Sequence, residues 1–238
     1  MKARVAVIGG GRNCEHEVSL ASAAAVAAAL AETGYDVVRL TIAADGTWHD
    51  DGGRLRPFAT AVRILSSCDA VVPVVHGPHG EDGTLAALCD LAGVTCVGSG
   101  LRAGALGMDK HVTKLIAADC GIATAPAVLL TAATGAGYRW TRPVVVKPVA
   151  AGSSRGVALV GEPAGLPEAL AAAFALDDRV LAEDVITGRE IDLAVLGRPD
   201  GTRMIAPPLE IAGGGIFGYQ DKYGGQADLR VPRRPQRR

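Results

Sequence analysis

A lysine ends an apolar run and faces a loop of small residues in PVVVKPVAAGSSRGVALV, which runs from Pro143 to Val160. Small residues let main-chain N–H groups approach a ligand, and successive N–H groups form a nest for anions. The hydroxyl groups of Ser153 and Ser154 add hydrogen-bond donors. Because Lys147 precedes the glycine and a strand follows, the stretch is not a Walker A loop. A lysine that snorkels at a strand end is the alternative, but the loop favours a triphosphate site.

Two further glycine-rich loops carry polar side chains after apolar runs. VIGGGRNCEHEVSL presents Glu15, and HGPHGEDG begins with His76. A dinucleotide-binding turn is excluded because Cys14 stands at the position of its third glycine. Plain turns would explain the glycines alone. Since parallel sheets bind ligands at the carboxyl ends of their strands, a carboxylate there could instead hold the ammonium group of a substrate.

A third group of candidates is acidic and lies in LAEDVITGREIDLAVLG, which contains Glu183, Glu190 and Asp192. Most such carboxylates are surface charges. A strand followed by a short linker can instead present main-chain N–H and C=O groups to an adenine ring. Glu190 could then reach a ribose.

The elements that must position these residues change in character along the chain. Strand-like and helix-like segments alternate up to about residue 99, and such apolar strands predict a parallel sheet covered on both faces. Beyond residue 100, strands follow one another across short loops, which predicts an α+β region. The pattern divides the chain into residues 1–99, 100–182 and 183–238.

Composition and charge bound the function. The 238 residues are 49% hydrophobic and 21% charged, with a formal net charge of -1. These values are typical of a globular protein and predict no general attraction to nucleic acid or to anionic membranes. The five cysteines show no metal-ligand spacing, which predicts reduced thiols and no metal site. The amino-terminal residues lack a signal-peptide pattern, so we expect a cytoplasmic protein.

Six segments resemble, in order and spacing, the D-alanine–D-alanine ligases of the ATP-grasp superfamily. They are VAVIGGGRNCEHEVSLASAAAV, HGPHGEDGTLAALCDLAGVTCVGSG, MDKHVTK, PVVVKPVAAGSSRGVALV, AEDVITGRE and FGYQDKYGG. The resemblance covers residues 4 to about 223. It implies that residues 1–99 form a parallel α/β pre-ATP-grasp domain for substrate, and that 100–182 form the small α+β ATP-grasp domain. Residues 183–238 would then begin the C-terminal ATP-grasp domain with its lid loop, which is incomplete here.

The resemblance implies an activity and a set of residue roles. ATP would phosphorylate one D-alanine, and the amine of a second would attack the acyl phosphate, giving a dipeptide for peptidoglycan synthesis. Glu15 and His76 would lie beside the first D-alanine. Glu15, Ser153 and Tyr223 would form a catalytic hydrogen-bonded set that closes the lid. The implied ATP ligands are Lys110, Lys147, Ser153, Ser154, Glu183, Ile186, Glu190 and Lys222.

The pair Lys222 and Tyr223 bears on the acceptor. In the resembling family a tyrosine at this place accompanies dipeptide formation, which favours an amine acceptor. A sister ligase that uses a hydroxy acid is the alternative. The resemblance also implies small-molecule partners and a possible homodimer.

The family continues beyond the last residue of this sequence. The resemblance implies that the continuation carries the magnesium ligands, an arginine at the transferred phosphate and the second substrate's carboxylate site. Because phosphoryl transfer depends on positioning and charge stabilisation, we expect this chain to be inactive or weakly active. The alternative is a non-catalytic remnant that binds a nucleotide or an amino acid.

The end of the sequence yields two further expectations. Strands near residues 191–196 and 204–211 are expected to lack partners and to expose apolar faces. The tail RVPRRPQRR could be an arm that binds nucleic acid or a partner. We favour an abnormal terminus produced by a frameshift, a hypothesis that the downstream DNA would test.

Overall fold

The computed structural model describes residues 2–198, 200–212, 218, 222, 223 and 227–231. Its first sheet has the strand order β4-β3-β2-β1-β5-β6, in which β1, β2, β5 and β6 are parallel. The strands are β1 Arg4–Gly10, β2 Asp36–Ile42, β3 Trp48–Asp50, β4 Leu55–Arg56, β5 Ala70–Pro73 and β6 Thr95–Cys96. The helices of this part are α1 His16–Glu32, α2 Phe58–Ser66 and α3 Thr84–Leu91. The parallel sheet predicted for the first part of the chain is present.

Strand β1 is buried because helices cover both faces of the sheet. Ile8 packs with Leu40 and Leu65 on one face, and Val7 packs with alanines of α1 on the other. The helix approaches so closely that a Cβ atom at Gly9 would lie 2.5 Å from that of Ala23. Small residues in α1 therefore bring its amino-terminal end close to the carboxyl end of β1.

The hairpin β3–β4 is absent from the sequence prediction. Its strands are only three and two residues long, too short for a periodic pattern of apolar residues to show. Asp50 closes the turn, since its Oδ1 accepts hydrogen bonds from the main-chain N–H groups of Gly52 and Arg54. Turn chemistry rather than alternation specifies this element.

The second sheet is antiparallel and has the order β7-β10-β8-β9. It contains β7 Ala127–Thr131, β8 Val144–Pro148, β9 Ala158–Val160 and β10 Arg179–Asp184. The helices are α4 Leu101–Met108, α5 Lys110–Asp119, α6 Ala132–Gly135 and α7 Leu166–Phe174, with a 3₁₀ turn at Pro163–Gly165. Side chains alternate along β8, so that Val144 and Val146 enter the core, while Lys147 belongs to the opposite face. The predicted order along the chain, a parallel α/β part followed by an α+β part, is confirmed.

The last strands form two small antiparallel sheets. The order β11-β14-β15 joins Glu190–Asp192, Leu209–Ala212 and Asp228–Arg230, and β12 Val195–Gly197 pairs with β13 Arg203–Ile205. The prediction that these strands lack partners is therefore wrong, because the chain folds back on itself and pairs them locally. Their apolar side chains nevertheless stay exposed, among them Leu196 and Ile205. The predicted domain boundaries stay a prediction.

Most of the predicted lid and most of the basic tail lie outside the described residues. Of the lid, only residues 218, 222 and 223 are described, and residues 232–238 of the tail lie outside the described part. The helices within the described ranges are all too short or too polar to cross a bilayer.

Candidate functional site

Glu15 lies between the end of β1 and the start of α1, at the carboxyl edge of the parallel sheet. Its main-chain N–H donates to Asn13 Oδ1 at 2.9 Å, and its carbonyl accepts from the Ser19 N–H at 3.0 Å. The residue is only 1% exposed. A buried carboxylate is costly unless its oxygens find donors, so the surroundings of this side chain decide what it can do.

One oxygen of Glu15 has a partner from the second half of the chain. Ser153 Oγ donates to Glu15 Oε1, and the same hydroxyl lies 2.6 Å from Tyr223 Oη. Ser153 and Ser154 both have positive φ angles, of 49° and 55°. Such angles are uncommon for residues other than glycine and often mark functional loops. The structure thus brings together the three residues predicted to act as a catalytic set, while their roles stay a prediction.

The other oxygen of Glu15 is different. Within the described part of the chain, no group donates a hydrogen bond to Oε2, although this atom is buried. Gly77 and Gly152 lie against it, and a Cβ atom at Gly152 would come within 2.6 Å of Oε2. A buried acceptor without a donor costs about 1–3 kcal/mol or more. The site is therefore prepared for a donor that a ligand can supply.

Asn13 joins the Glu15 loop to the His76 loop, a role that the sequence did not reveal. Its Nδ2 donates to the carbonyl oxygens of His76 and Pro78 at 2.8 and 2.9 Å. The His76 ring nitrogen Nε2 lies 3.3 Å from Ser22 Oγ. His76 also lines a cavity of about 480 Å³, together with Glu81, Cys96, Ser99 and Met108. Of the predicted substrate residues, Glu15 and His76 are thus held beside one another by a single amide.

Lys110 begins α5 and points to the loop after β8. Its Nζ donates to the carbonyl oxygens of Ala151 at 2.6 Å and Val149 at 3.2 Å. Burial lowers the pKa of Lys110 from its ordinary value, and the positive charge of Lys147 lowers it further. The lysine therefore contacts the loop that carries the two serines, and its charge is opposed by that of Lys147.

The amino end of α5 is fixed by a second set of residues that the sequence did not reveal. Asp109 caps the helix by accepting from the Val112 N–H at 2.8 Å, and Arg179 donates to its other oxygen at 2.8 Å. Burial alone would raise the pKa of Asp109, but these hydrogen bonds and the arginine charge lower it. Asp177 accepts from the Ala150 N–H at 2.6 Å. The loop and the helix are thus held in one arrangement.

Lys147 and Glu183 form an ion pair across neighbouring strands. Lys147 Nζ contacts Glu183 Oε2, and Lys114 Nζ lies 2.8 Å from Oε1 of the same carboxylate. Lys114 was not among the predicted site residues. The signal for it was the second lysine of MDKHVTK, which follows Lys110 by four residues and so lies on the same face of the helix. Lysines from α5 and β8 therefore converge on one buried acid.

The predicted adenine contacts begin where β10 ends. Strand β10 is paired on both sides, and the Asp184 N–H donates to the carbonyl of Pro126 at 2.9 Å. Ile186 follows this strand and is exposed, and Glu190 is exposed at the start of β11. Both residues are therefore accessible, and their contacts with a nucleotide stay a prediction.

Lys222 adjoins Tyr223 in the described part of the lid. Its main-chain N–H donates to the carbonyl of Gly218 at 3.1 Å. The lid thus meets the Glu15 site through the tyrosine hydroxyl.

Magnesium is expected from the resemblance, so we asked whether the described side chains fit it. Across the described ranges, no three residues among His, Cys, Asp and Glu come together as a metal site. The carboxylate of Glu183 is engaged by two lysines. The described residues therefore do not form a site for a divalent cation.

The chain is similar in sequence to a family of known ligases. The chain matches a family described as D-ala D-ala ligase N-terminus over residues 4–63 and 55–99, and one described as D-ala D-ala ligase C-terminus over residues 121–236. The second match extends past Tyr223, where the predicted resemblance ended. A D-alanine–D-alanine ligase of Corynebacterium aurimucosum is 38% identical over 257 residues, covering 92% of this chain and 72% of the relative.

Solved structures agree as well. A D-Ala:D-Ser ligase, VanG of Enterococcus faecalis, superimposes with a TM-score of 0.77 at 30% identity, covering 97% of this chain and 76% of the other. D-alanyl-alanine synthetase A from Vibrio cholerae gives a TM-score of 0.76 at 26% identity, with coverage of 96% and 73%. The chain belongs to the D-alanine–D-alanine ligase family.

Proposed function

We propose that this chain binds ATP and D-alanine and joins two D-alanines, with release of ADP and phosphate. The observation that carries the proposal is the buried carboxylate of Glu15, with one oxygen bonded to Ser153 and the other without a donor among the described residues. An amino acid brings an ammonium group that can supply this donor. A charge-assisted bond of this kind is about twice as strong as a neutral one.

The residues around Glu15 orient the first D-alanine and exclude water. The ammonium group binds Glu15 Oε2, and His76 forms part of the neighbouring wall. Ser153 links the acid to Tyr223 and so couples the loop after β8 to the lid. A closed lid protects an activated carboxylate from hydrolysis.

The lysines serve the phosphates. ATP supplies the phosphoryl group that activates the D-alanine carboxylate. Lys110 donates to carbonyl oxygens of the loop that carries Ser153 and Ser154, and Lys147 lies on the strand that precedes this loop. Lysines bind phosphate as point charges. The main-chain groups of Ile186 and the carboxylate of Glu190 are proposed to meet the adenine and ribose. Lys222 is proposed to approach the phosphates from the lid.

The test is turnover with a defined product. The purified chain is incubated with Mg-ATP and D-alanine, ADP is quantified and the product is identified by mass spectrometry. We expect slow D-alanine-dependent release of ADP, in line with the weak activity predicted from the sequence, and the mass of D-alanyl-D-alanine. A folded chain that binds ATP but releases no ADP would contradict the ligase activity and favour the binding remnant.

The identity of the acceptor is tested in the same experiment. The solved relative VanG is described as a D-Ala:D-Ser ligase, so D-serine and D-lactate are offered beside D-alanine. We propose that the amine of D-alanine is the preferred acceptor. We also propose that the reaction is cytoplasmic and that the chain acts as a homodimer. A mixed product as the main species would contradict the proposed acceptor.

A further inference from the structure

We propose that Lys114 is a positioning residue of the nucleotide site, which acts through Glu183 to fix the ammonium group of Lys147. In this role, Lys114 contacts Glu183 and not the phosphates. The inference rests on the proposed binding of ATP by Lys147, and it adds a residue and a mechanism to that site.

The geometry of the triad formed by Lys114, Glu183 and Lys147 supports this role. Each oxygen of Glu183 has its own lysine, with Lys114 Nζ at 2.8 Å from Oε1 and Lys147 Nζ on Oε2. Glu183 is 7% exposed, and the side chains of Lys114 and Lys147 are 17% and 22% exposed. Ion pairs at an exposed surface contribute little, whereas a buried pair that loses one partner leaves an uncompensated charge.

The hydrogen-bond donors of the triad explain why two lysines are needed. An ammonium group has three N–H donors, and the contact with Glu183 Oε2 uses one donor of Lys147. If Lys114 were absent, Oε1 would have no partner in the triad, and Lys147 would have to serve both oxygens of a buried acid. Fewer donors of Lys147 would then be available to a phosphate.

The position of Lys114 in α5 makes the coupling direct. Lys110 and Lys114 are one helical turn apart, and Lys110 binds the carbonyl oxygens of Val149 and Ala151 in the phosphate loop. Helix α5 therefore holds the loop after β8 through Lys110, and it holds Glu183 through Lys114. This arrangement connects the position of β8, which carries Lys147, to that of β10, which carries Glu183.

The first experiment measures the dissociation constant of Mg-ATP for the whole 238-residue chain by isothermal titration calorimetry. We expect Lys114→Gln to weaken binding by about 10- to 100-fold, the range seen when residues that orient metal-binding side chains are lost. Lys114→Arg keeps the charge and can still reach a carboxylate, so it should restore most of the affinity. Lys2→Gln makes the same charge change at an exposed position and should leave the affinity unchanged.

A double-mutant cycle separates positioning from direct attraction. If Lys114 acts through Glu183, then Glu183→Gln and the double variant Lys114→Gln/Glu183→Gln should bind Mg-ATP with affinities within about twofold of one another. A further loss in the double variant would overturn the inference, because Lys114 would then attract the phosphates directly. This comparison also decides the matter if Lys114→Gln alone fails to fold, since it needs only the two variants that lack the Glu183 charge.

The outcomes distinguish the two proposals. A wild-type chain that folds but does not bind Mg-ATP overturns the proposed function. A wild-type chain that binds Mg-ATP, with an equally tight Lys114→Gln variant, overturns only the role of Lys114. Thermal unfolding of each variant is recorded, and a variant that loses stability but keeps its affinity indicates a purely structural ion pair and also overturns the inference.

Discussion

Glu15, at the start of α1, and Glu183, near the end of β10, are both buried acids, yet they differ in how their oxygens are satisfied. Glu183 has a lysine on each oxygen, whereas Glu15 has a serine on one and no donor on the other within the described residues. Burial of a charge is tolerated when every oxygen is paired. Glu183, with both oxygens paired, therefore organises other side chains. Glu15, with one oxygen left without a donor, is the acid prepared to bind a ligand.

The largest effect on ligand affinity is expected from removing the charge of Glu15. Glu15→Gln keeps the shape of the side chain but loses the charge that binds an ammonium group. We expect the affinity for D-alanine, measured by calorimetry, to fall by about 30-fold or more, as for other buried charged pairs that lose one partner. The exposed neighbour Glu17 provides the matched control Glu17→Gln. Equal losses in the two variants would contradict the comparison.

A second prediction fills the space beside the unpaired oxygen. Gly152→Ala places a methyl group within 2.6 Å of Glu15 Oε2 and should reduce D-alanine affinity by about tenfold, in the range of overpacking effects. Gly161→Ala is the control, since a Cβ atom there meets nothing within 4 Å. If Gly152→Ala bound D-alanine as tightly as Gly161→Ala, the unpaired oxygen would not be the ligand site.

A third prediction concerns the pH dependence of ATP affinity, which should depend on Lys110. Because burial, and then the charge of Lys147, lowers the pKa of Lys110, this lysine loses its proton at lower pH than an ordinary lysine. ATP affinity should then fall, by at most about tenfold per pH unit, as the pH rises through that pKa. Binding in this range should take up protons, which calorimetry in buffers of different ionisation enthalpy detects.

The stability of the fold depends on pH in the opposite direction from ATP affinity. Between the pKa of Lys110 in the folded chain and its higher value in the unfolded chain, the unfolded chain binds more protons, so the free energy of unfolding rises with pH. Lys110→Arg stays charged throughout this range and should abolish both dependences. An unchanged pH profile in Lys110→Arg would contradict the assignment to Lys110.

The smallest effect is expected at the rim of the Glu15 site. Tyr223→Phe removes the hydroxyl that lies 2.6 Å from Ser153 Oγ. The loss of one hydrogen bond, about 1 kcal/mol, should reduce D-alanine affinity several-fold and leave ATP affinity unchanged. Tyr35→Phe at an exposed position is the control. A loss of ATP affinity as large as that of D-alanine affinity would place Tyr223 in the nucleotide site.

The sequence allowed the fold to be predicted where patterns are long. The buried strand β1 and the helix α1 follow from apolar runs and from residues that end them. The hairpin β3–β4 and the local pairing among the last five strands, β11 through β15, could not be predicted. Strands of two to four residues carry too little periodicity. Pairing there depends on turns and on which neighbour is available.

The candidate site was predictable only in part. Glu15 and Ser153 are 138 residues apart, and the residues alone give no indication that their side chains meet; the family resemblance supplied that expectation. Lys114 and Asn13 were missed because a single lysine in a helix or a single asparagine in a turn is usually on the surface. Their roles depend on what the fold places opposite them.

The most direct test of the central claim compares D-alanine with D-lactate, which has a hydroxyl group in place of the ammonium group. Both are titrated into the wild-type chain by calorimetry under the same conditions. If Glu15 Oε2 awaits an ammonium group, D-alanine should bind about 30-fold or more tightly than D-lactate, and Glu15→Gln should remove most of the difference. Equal affinities for the two compounds in the wild-type chain would contradict the claim that this carboxylate selects an amine.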